Sequence, residues 1–171
     1  TETGMLVTVD NVQLYNSSSR STQVKLDNYL TDDIKIKSII NASASDAFKY
    51  LGKTKLLNPN IIEQLESNGK ININLALTIP EDDRKPISSI IETQLIDVVF
   101  SPKWLAPHRI ENINGRFELN NNILSSSKIV GRLNNEILIA AIKNKKESIN
   151  GSVKENVTLV NIDGTISIGT I

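Results

Sequence analysis

The chain has 171 residues, and its 19 Lys and Arg balance 19 Asp and Glu to a formal charge of zero. That length suits one domain able to bury a core, while the even charge and 4% aromatic content give neither a basic footprint nor stacking platforms for nucleic acid. With no cysteine, a disulfide framework, a thiolate metal site and a Cys nucleophile are all excluded.

No stretch reaches the ~18 apolar residues that a membrane-crossing helix requires. The sequence opens at Thr1 without initiator Met, basic n-region or apolar h-region. We therefore expect a single domain over residues 1–171, excised from a longer protein.

The first forty residues carry β patterning. Met5, Val7 and Val9 alternate with polar neighbours, and Val12 and Leu14 continue in the opposite phase. "NSSSRS" (16–21) reads as a turn or short loop, and "TQVKL" (22–26) and "IKIKSII" (34–40) as strands. The period then changes, and two short helices are expected over about 44–67. In the first, Ser45 is the candidate N-cap, and Ala47, Phe48 and Leu51 form an apolar face that ends at Gly52. In the second, Asn58-Pro59 opens the helix, Ile61, Ile62 and Leu65 form the stripe, and Asn68-Gly69 closes it.

From Lys70 the period returns to two. Ile71, Ile73, Leu75, Leu77 and Ile79 face one way, and Asn72, Asn74, Ala76 and Thr78 the other, up to Pro80. "PEDDRKP" (80–86) is a charged loop. Residues 88–100 form a strand apolar on both faces, with Ile90, Ile96, Val98 and Phe100 opposing Ile91, Leu95 and Val99. A meander follows, in which Ile113, Gly115, Phe117 and Leu119 share a face and "NNN" (120–122) turns. The chain returns over 123–130, and Asn134-Asn135 suits a primed hairpin turn because Asn tolerates positive φ. "EILIAAI" (136–142), "VTLVNI" (157–162), a turn at Asp163-Gly164 and "TISIGTI" (165–171) complete it. The expected fold is mainly β (α+β): an antiparallel, curved, meandering sheet with one inserted helical hairpin.

"SPKWLAPHRIENINGRF" (101–117) holds both the single Trp, Trp104, and the single His, His108. A general base needs an orienting partner and a metal needs several ligands, and a lone His supplies neither. Prolines cannot pair in a sheet, so we expect a corner at Pro107 in which Trp104 is buried as a plug. Asp32-Asp33 and Asp82-Asp83 lie beside turns, and neighbours on a strand diverge, so both pairs are expected to be solvated. "NIDG" (161–164) lacks the other acidic positions of a calcium loop. The N-x-S/T matches at Asn16, Asn41, Asn150 and Asn156 are expected by chance in a chain so rich in Asn and Ser. No phosphate loop, G-x-S-x-G or H-E-x-x-H is present. No catalytic residue, metal site or cofactor is therefore assigned, and the chain is expected not to be an enzyme.

Residues from about Asn41 to Lys143, roughly 60% of the chain, resemble the AsmA-like bacterial envelope family to which YhdP and TamB belong. The segment "NASASDAFKYLGKTKLLNPNIIEQLESNGKININLALTIP" looks like the family's helical pair, Gly and amphipathic strand ending in Ile-Pro. "DVVFSPKWLAPHRIENINGRFELNNNILSSSKIVGRLNNEILIAAI" looks like its next segment, a proline-rich turn with Trp before an Asn-rich hairpin and a strand leading to Gly131. This chain has Trp104-Leu105-Ala106-Pro107 where the family usually has Trp-Pro, so its corner is longer.

The resemblance implies a periplasmic segment of a Gram-negative envelope protein, anchored in the inner membrane through a part not present here. That protein would carry phospholipid between the inner and outer membranes along a β-sheet groove. Partners would then be phospholipid acyl chains and neighbouring segments of the parent chain. The groove candidates are Ile71, Ile73, Leu75, Leu77, Ile79, Phe117, Leu119, Ile137 and Ile139. The competing expectation is a closed β-sandwich, a binding or adhesion module on a bacterial cell surface, in which the same side chains bury each other.

Overall fold

A computed structural model describes residues 4–14, 16–28, 32–53, 64–121, 123–149 and 152–164. Nine strands form one sheet in sequence order: β1 (Met5–Leu14), β2 (Ser17–Leu26), β3 (Ile34–Ser43), β4 (Leu65–Ile79), β5 (Ser88–Pro102), β6 (Ile110–Asn120), β7 (Ile123–Leu133), β8 (Glu136–Ile149) and β9 (Ser152–Asp163). Every neighbouring pair is antiparallel. The helix α1 (Ala44–Lys53) links β3 to β4, and a 3-10 turn, Lys103–Leu105, lies between β5 and β6.

The fold is thus the mainly-β antiparallel meander expected. The first and last strands do not pair with each other, so the sheet stays open. Exposed area carries the same message. The chain exposes 12407 Å², whereas a compact chain of 171 residues exposes about 8300 Å². A closed sandwich does not form: the described residues make one layer, with a single helix lying on it.

Several expectations are corrected. The N-cap of α1 is Ser43, not Ser45: the Asp46 N–H donates to Ser43 Oγ at 3.1 Å. Of the second expected helix, Leu65–Ser67 belong to β4, because they pair with Ser101 and its neighbours on β5. The rest of that helix, and "TISIGTI" after Gly164, lie outside the described residues. Residues 17–20 are strand rather than loop.

The densest packing sits where α1 crosses the sheet. Ala44, Ile71 and Val98 are buried together, with Ala47, Ile73, Leu95 and Ile113 packed around them. The Phe48 and Phe100 rings lie 6.0 Å apart in a tilted arrangement. A buried carboxylate fastens the helix at its other side: Asp46 Oδ2 accepts from the Asn16 N–H at 3.0 Å and from Ser17 Oγ at 3.5 Å.

Bulges decide which side chains share a face. Asn11, Asp97 and Asn112 hold positive φ; the pairing slips beside Asp97 and Asn112, at Gly69, and at Arg20, which lies between the β2 partners of Asp10 and Val12. At Asp97 the slip is braced by Asn114, whose Oδ1 accepts from the Asp97 N–H at 3.1 Å while its amide donates to Asp97 Oδ1 at 3.0 Å. Each bulge inserts a residue and reverses the alternation beyond it. Val12 therefore joins Met5, Val7 and Val9 on one face. Val98 and Phe100 join Ile91 and Leu95, a correction to the alternation expected for β5.

Two substitutions test this frame. Gly69 has φ +110°, and a Cβ there would meet Val98 Cα at 2.6 Å and the Asp97 carbonyl at 2.7 Å. Gly69→Ala should destabilise the chain by about 1–3 kcal/mol, read as a lower urea midpoint. Asp46→Ala should cost about 1.5–3 kcal/mol, with the loss of helical ellipticity preceding that of the sheet.

Candidate functional site

Cross-strand pairing puts apolar side chains from all nine strands on one face of the sheet. Directly opposed residues share a face, so the register can be followed as rows across the strands. One row runs Val9, Thr22, Ser38, Leu75, Ile91, Leu119, Leu124. The next runs Val12, Ser19, Ile40, Ile73, Thr93, Phe117. A third begins at Ala42 and Ile71 and ends at Ala140 and Ile162. Toward the β4–β5 loop, Leu77 and Ile79 extend the same surface beside Ile36 and Ile34.

Helix α1 covers only the end of this face around Ile71 and Val98. Elsewhere Leu75, Leu77, Ile79, Phe117 and Leu119 are half-buried by their neighbours alone, and Val9, Val12, Val160 and Ile162 are exposed. Small polar residues interrupt the apolar surface without wetting it. The hydroxyls of Ser19, Thr22 and Ser38 bond one another at 2.8–3.1 Å, and Ser126 Oγ donates to the Arg116 carbonyl at 2.6 Å. Each such group finds a partner inside the face, so none needs water or a ligand.

The opposite face is mixed: amides and charged groups run in rows, with Leu6, Ile39, Ile90, Ile123, Ile137 and Ile139 exposed among them. Asn41, Asn72, Gln94 and Arg116 make one row, and Ile39, Asn74, Glu92, Glu118 and Ser125 the next. An open depression of about 890 Å³ lies over these rows, bordered also by Arg20 and Lys143. Asn74 Nδ2 donates to Glu92 Oε2 at 3.4 Å, and Asn120 Nδ2 to Glu118 Oε1 at 3.4 Å.

Seven of the nine groove candidates therefore come together: Ile71, Ile73, Leu75, Leu77, Ile79, Phe117 and Leu119. Ile137 and Ile139 do not. Ile137 pairs with Arg132 and Ile139 with Val130, which places both on the opposite face, 52% and 37% exposed. Their places on the apolar face are taken by Leu138, Ala140 and Ile142. The alternation of β8 is plain in the sequence, but its phase is set by the pairing with β7 across the Asn134-Asn135 turn. The depression is of mixed lining, since Ile39, Phe117 and Ile142 border it together with the polar side chains.

The corner is built otherwise than expected. Trp104 is 70% exposed, so it plugs nothing, and Pro107 is exposed as well. Pro102 is the fully buried residue of the turn, with Leu105 half-buried behind it. His108 Nδ1 lies 2.9 Å from Asn134 Oδ1, joining the corner to the β7–β8 turn.

The acidic pairs serve loops. Asp82 accepts from Nε and one Nη of Arg84, at 2.8 and 3.0 Å, and the Arg84 side chain beside it holds the Asp82 carboxyl below the usual carboxylate range. Asp33 Oδ1 accepts from the Glu81 N–H at 3.2 Å.

Comparison with protein-family models, with curated proteins and with solved structures gives no match.

Neighbouring substitutions on β8 separate the two faces. Ile137→Asp should change stability by less than about 0.5 kcal/mol, as a surface exchange does. Leu138→Asp should cost more than about 1 kcal/mol, because it places an unpaired carboxylate on the apolar surface. Parallel urea titrations check the pair.

Proposed function

We propose that this chain is a non-enzymatic segment of an AsmA-like envelope protein, whose apolar sheet face carries phospholipid acyl chains. In this reading it lies in the periplasm, its parent is anchored in the inner membrane, and transport runs between inner and outer membranes. The single observation that carries the reading is the apolar face itself, which crosses nine strands and which, among the described residues, is covered only at the α1 end.

Water makes such a face costly, at about 25 cal/mol for each Å² left exposed, and soluble chains rarely keep large continuous apolar surfaces without using them. Acyl chains suit the requirement, since they need a smooth aliphatic surface and no hydrogen-bond donors. Leu75, Leu77, Ile79, Ile91, Phe117 and Leu119 offer that surface, and the hydroxyls nearby bond among themselves. The sheet edges at β1 and β9 suit a segment of a longer sheet, because an unpaired edge accepts a further strand. A closed adhesion module is less well supported, since its two sheets are replaced by one open layer.

Native mass spectrometry of the chain purified from bacterial cells, with lipid extraction of the same sample, tests the proposal. Phospholipid should accompany the native protein, and the double variant Leu75→Asp with Leu77→Asp should lose it while remaining folded. Ile137→Asp, on the opposite face, should keep it. A lipid-free mass for the native chain, together with no uptake of added fluorescent phospholipid, would refute the reading.

A further inference from the structure

The corner between β5 and β6 turns its largest apolar side chain outward. At 70%, Trp104 is as exposed as any large hydrophobic residue among those described. An isolated exposed Leu or Val needs no explanation, but an indole held in water on a firm turn does. This turn is firm. The Lys103 N–H donates to the Gln64 carbonyl at 2.9 Å, the His108 N–H to the Leu105 carbonyl at 2.9 Å, and His108 Nδ1 meets Asn134 Oδ1. Buried Pro102 and half-buried Leu105 supply its inward anchorage. Trp104 is therefore spare: the corner is held without it.

Its surroundings point to one kind of surface. Lys103 is exposed beside it and pairs with no described carboxylate, while Arg109 is paired with Glu111. Arg132 is exposed on β7, opposite Glu111. An indole with one apolar body and one N–H donor, next to a free ammonium, suits the headgroup layer of a bilayer, where such rings concentrate and basic side chains meet anionic lipid.

We infer that the Lys103–Leu105 corner docks the end of the sheet on an anionic lipid surface, with Trp104 entering the headgroup layer. The inference rests on the lipid-carrying reading above, to which it adds the point where the sheet meets a membrane. It also makes the α1 end, rather than the uncovered end of the apolar face, the end that touches the bilayer.

Trp104 is the only tryptophan, so its fluorescence reports on this site alone. In the full chain without lipid, emission should be that of a water-exposed indole and readily quenched by acrylamide. Vesicles of phosphatidylethanolamine with phosphatidylglycerol should shift the emission to the blue and weaken quenching several-fold. Phosphatidylcholine vesicles should do so less, and Lys103→Glu should remove that difference. Trp104→Ala should abolish co-sedimentation with the anionic vesicles, and Trp104→Phe should restore part of it.

The Leu75→Asp, Leu77→Asp double variant separates this inference from the reading beneath it. It should lose bound phospholipid yet dock normally, whereas Trp104→Ala should keep bound phospholipid and lose docking. Emission already blue without lipid would mean that protein covers the indole, and would overturn the inference. Unchanged emission with both vesicles would overturn it in favour of a protein partner. So would docking that survives Trp104→Ala but not the Leu75 and Leu77 exchange.

Discussion

A sheet one layer thick has two faces, and among the described residues one short helix lies against them. That imbalance governs the rest of the molecule. Each strand from β2 to β8 pairs on both sides, so most of its polar main chain is satisfied without a second sheet. Pairing does nothing for the apolar side chains, which must find cover elsewhere or remain in contact with water. Helix α1 solves the problem locally, over Ala44, Ile71 and Val98. Away from it apolar side chains such as Val9, Val12, Val160 and Ile162 remain exposed.

The polar details on the apolar face fit that condition. Ser19, Thr22 and Ser38 form a closed set of hydroxyl contacts, and Ser126 uses a carbonyl on the neighbouring strand. Their pairing inside the sheet leaves the surface apolar in effect as well as in composition. The other face carries amides, carboxylates and guanidinium groups in rows, the ordinary chemistry of a solvated sheet surface. The two faces thus differ in kind: one is aliphatic with its hydroxyls paired internally, and the other carries most of the charged and amide groups.

The bulges reconcile sequence phase with this division. Without the positive φ at Asp97, Val98 would sit opposite Leu95 in phase and leave the patch that α1 covers. Asn114 holds that conformation with a bond in each direction, and the lack of a side chain at Gly69 gives the bulged β5 backbone room to approach. At the same end of the sheet, the β5–β6 corner is anchored by Pro102 and Leu105 and leaves Trp104 to solvent.

Much of the fold was legible in the chain itself. Two-residue periodicity marked the strands at 71–79 and 113–119, and Asn134-Asn135 announced a hairpin whose two turn residues both adopt positive φ. Those signals are local, because a strand's alternation and a turn's φ preference are properties of a few adjacent residues. The helical pattern after Asn58 does not hold at Leu65–Ser67, which answer to their partners on β5 rather than to their own pattern. The phase of β8, and with it the side taken by Ile137 and Ile139, was decided by pairing with β7. Whether Trp104 points in or out depended on Pro102 and Leu105 filling the space first. The sequence by itself determined that strands would form and that many would have one apolar side. Only the tertiary structure decided which sides align and that the described strands form one layer, because register and burial are set by contacts between residues far apart in the chain.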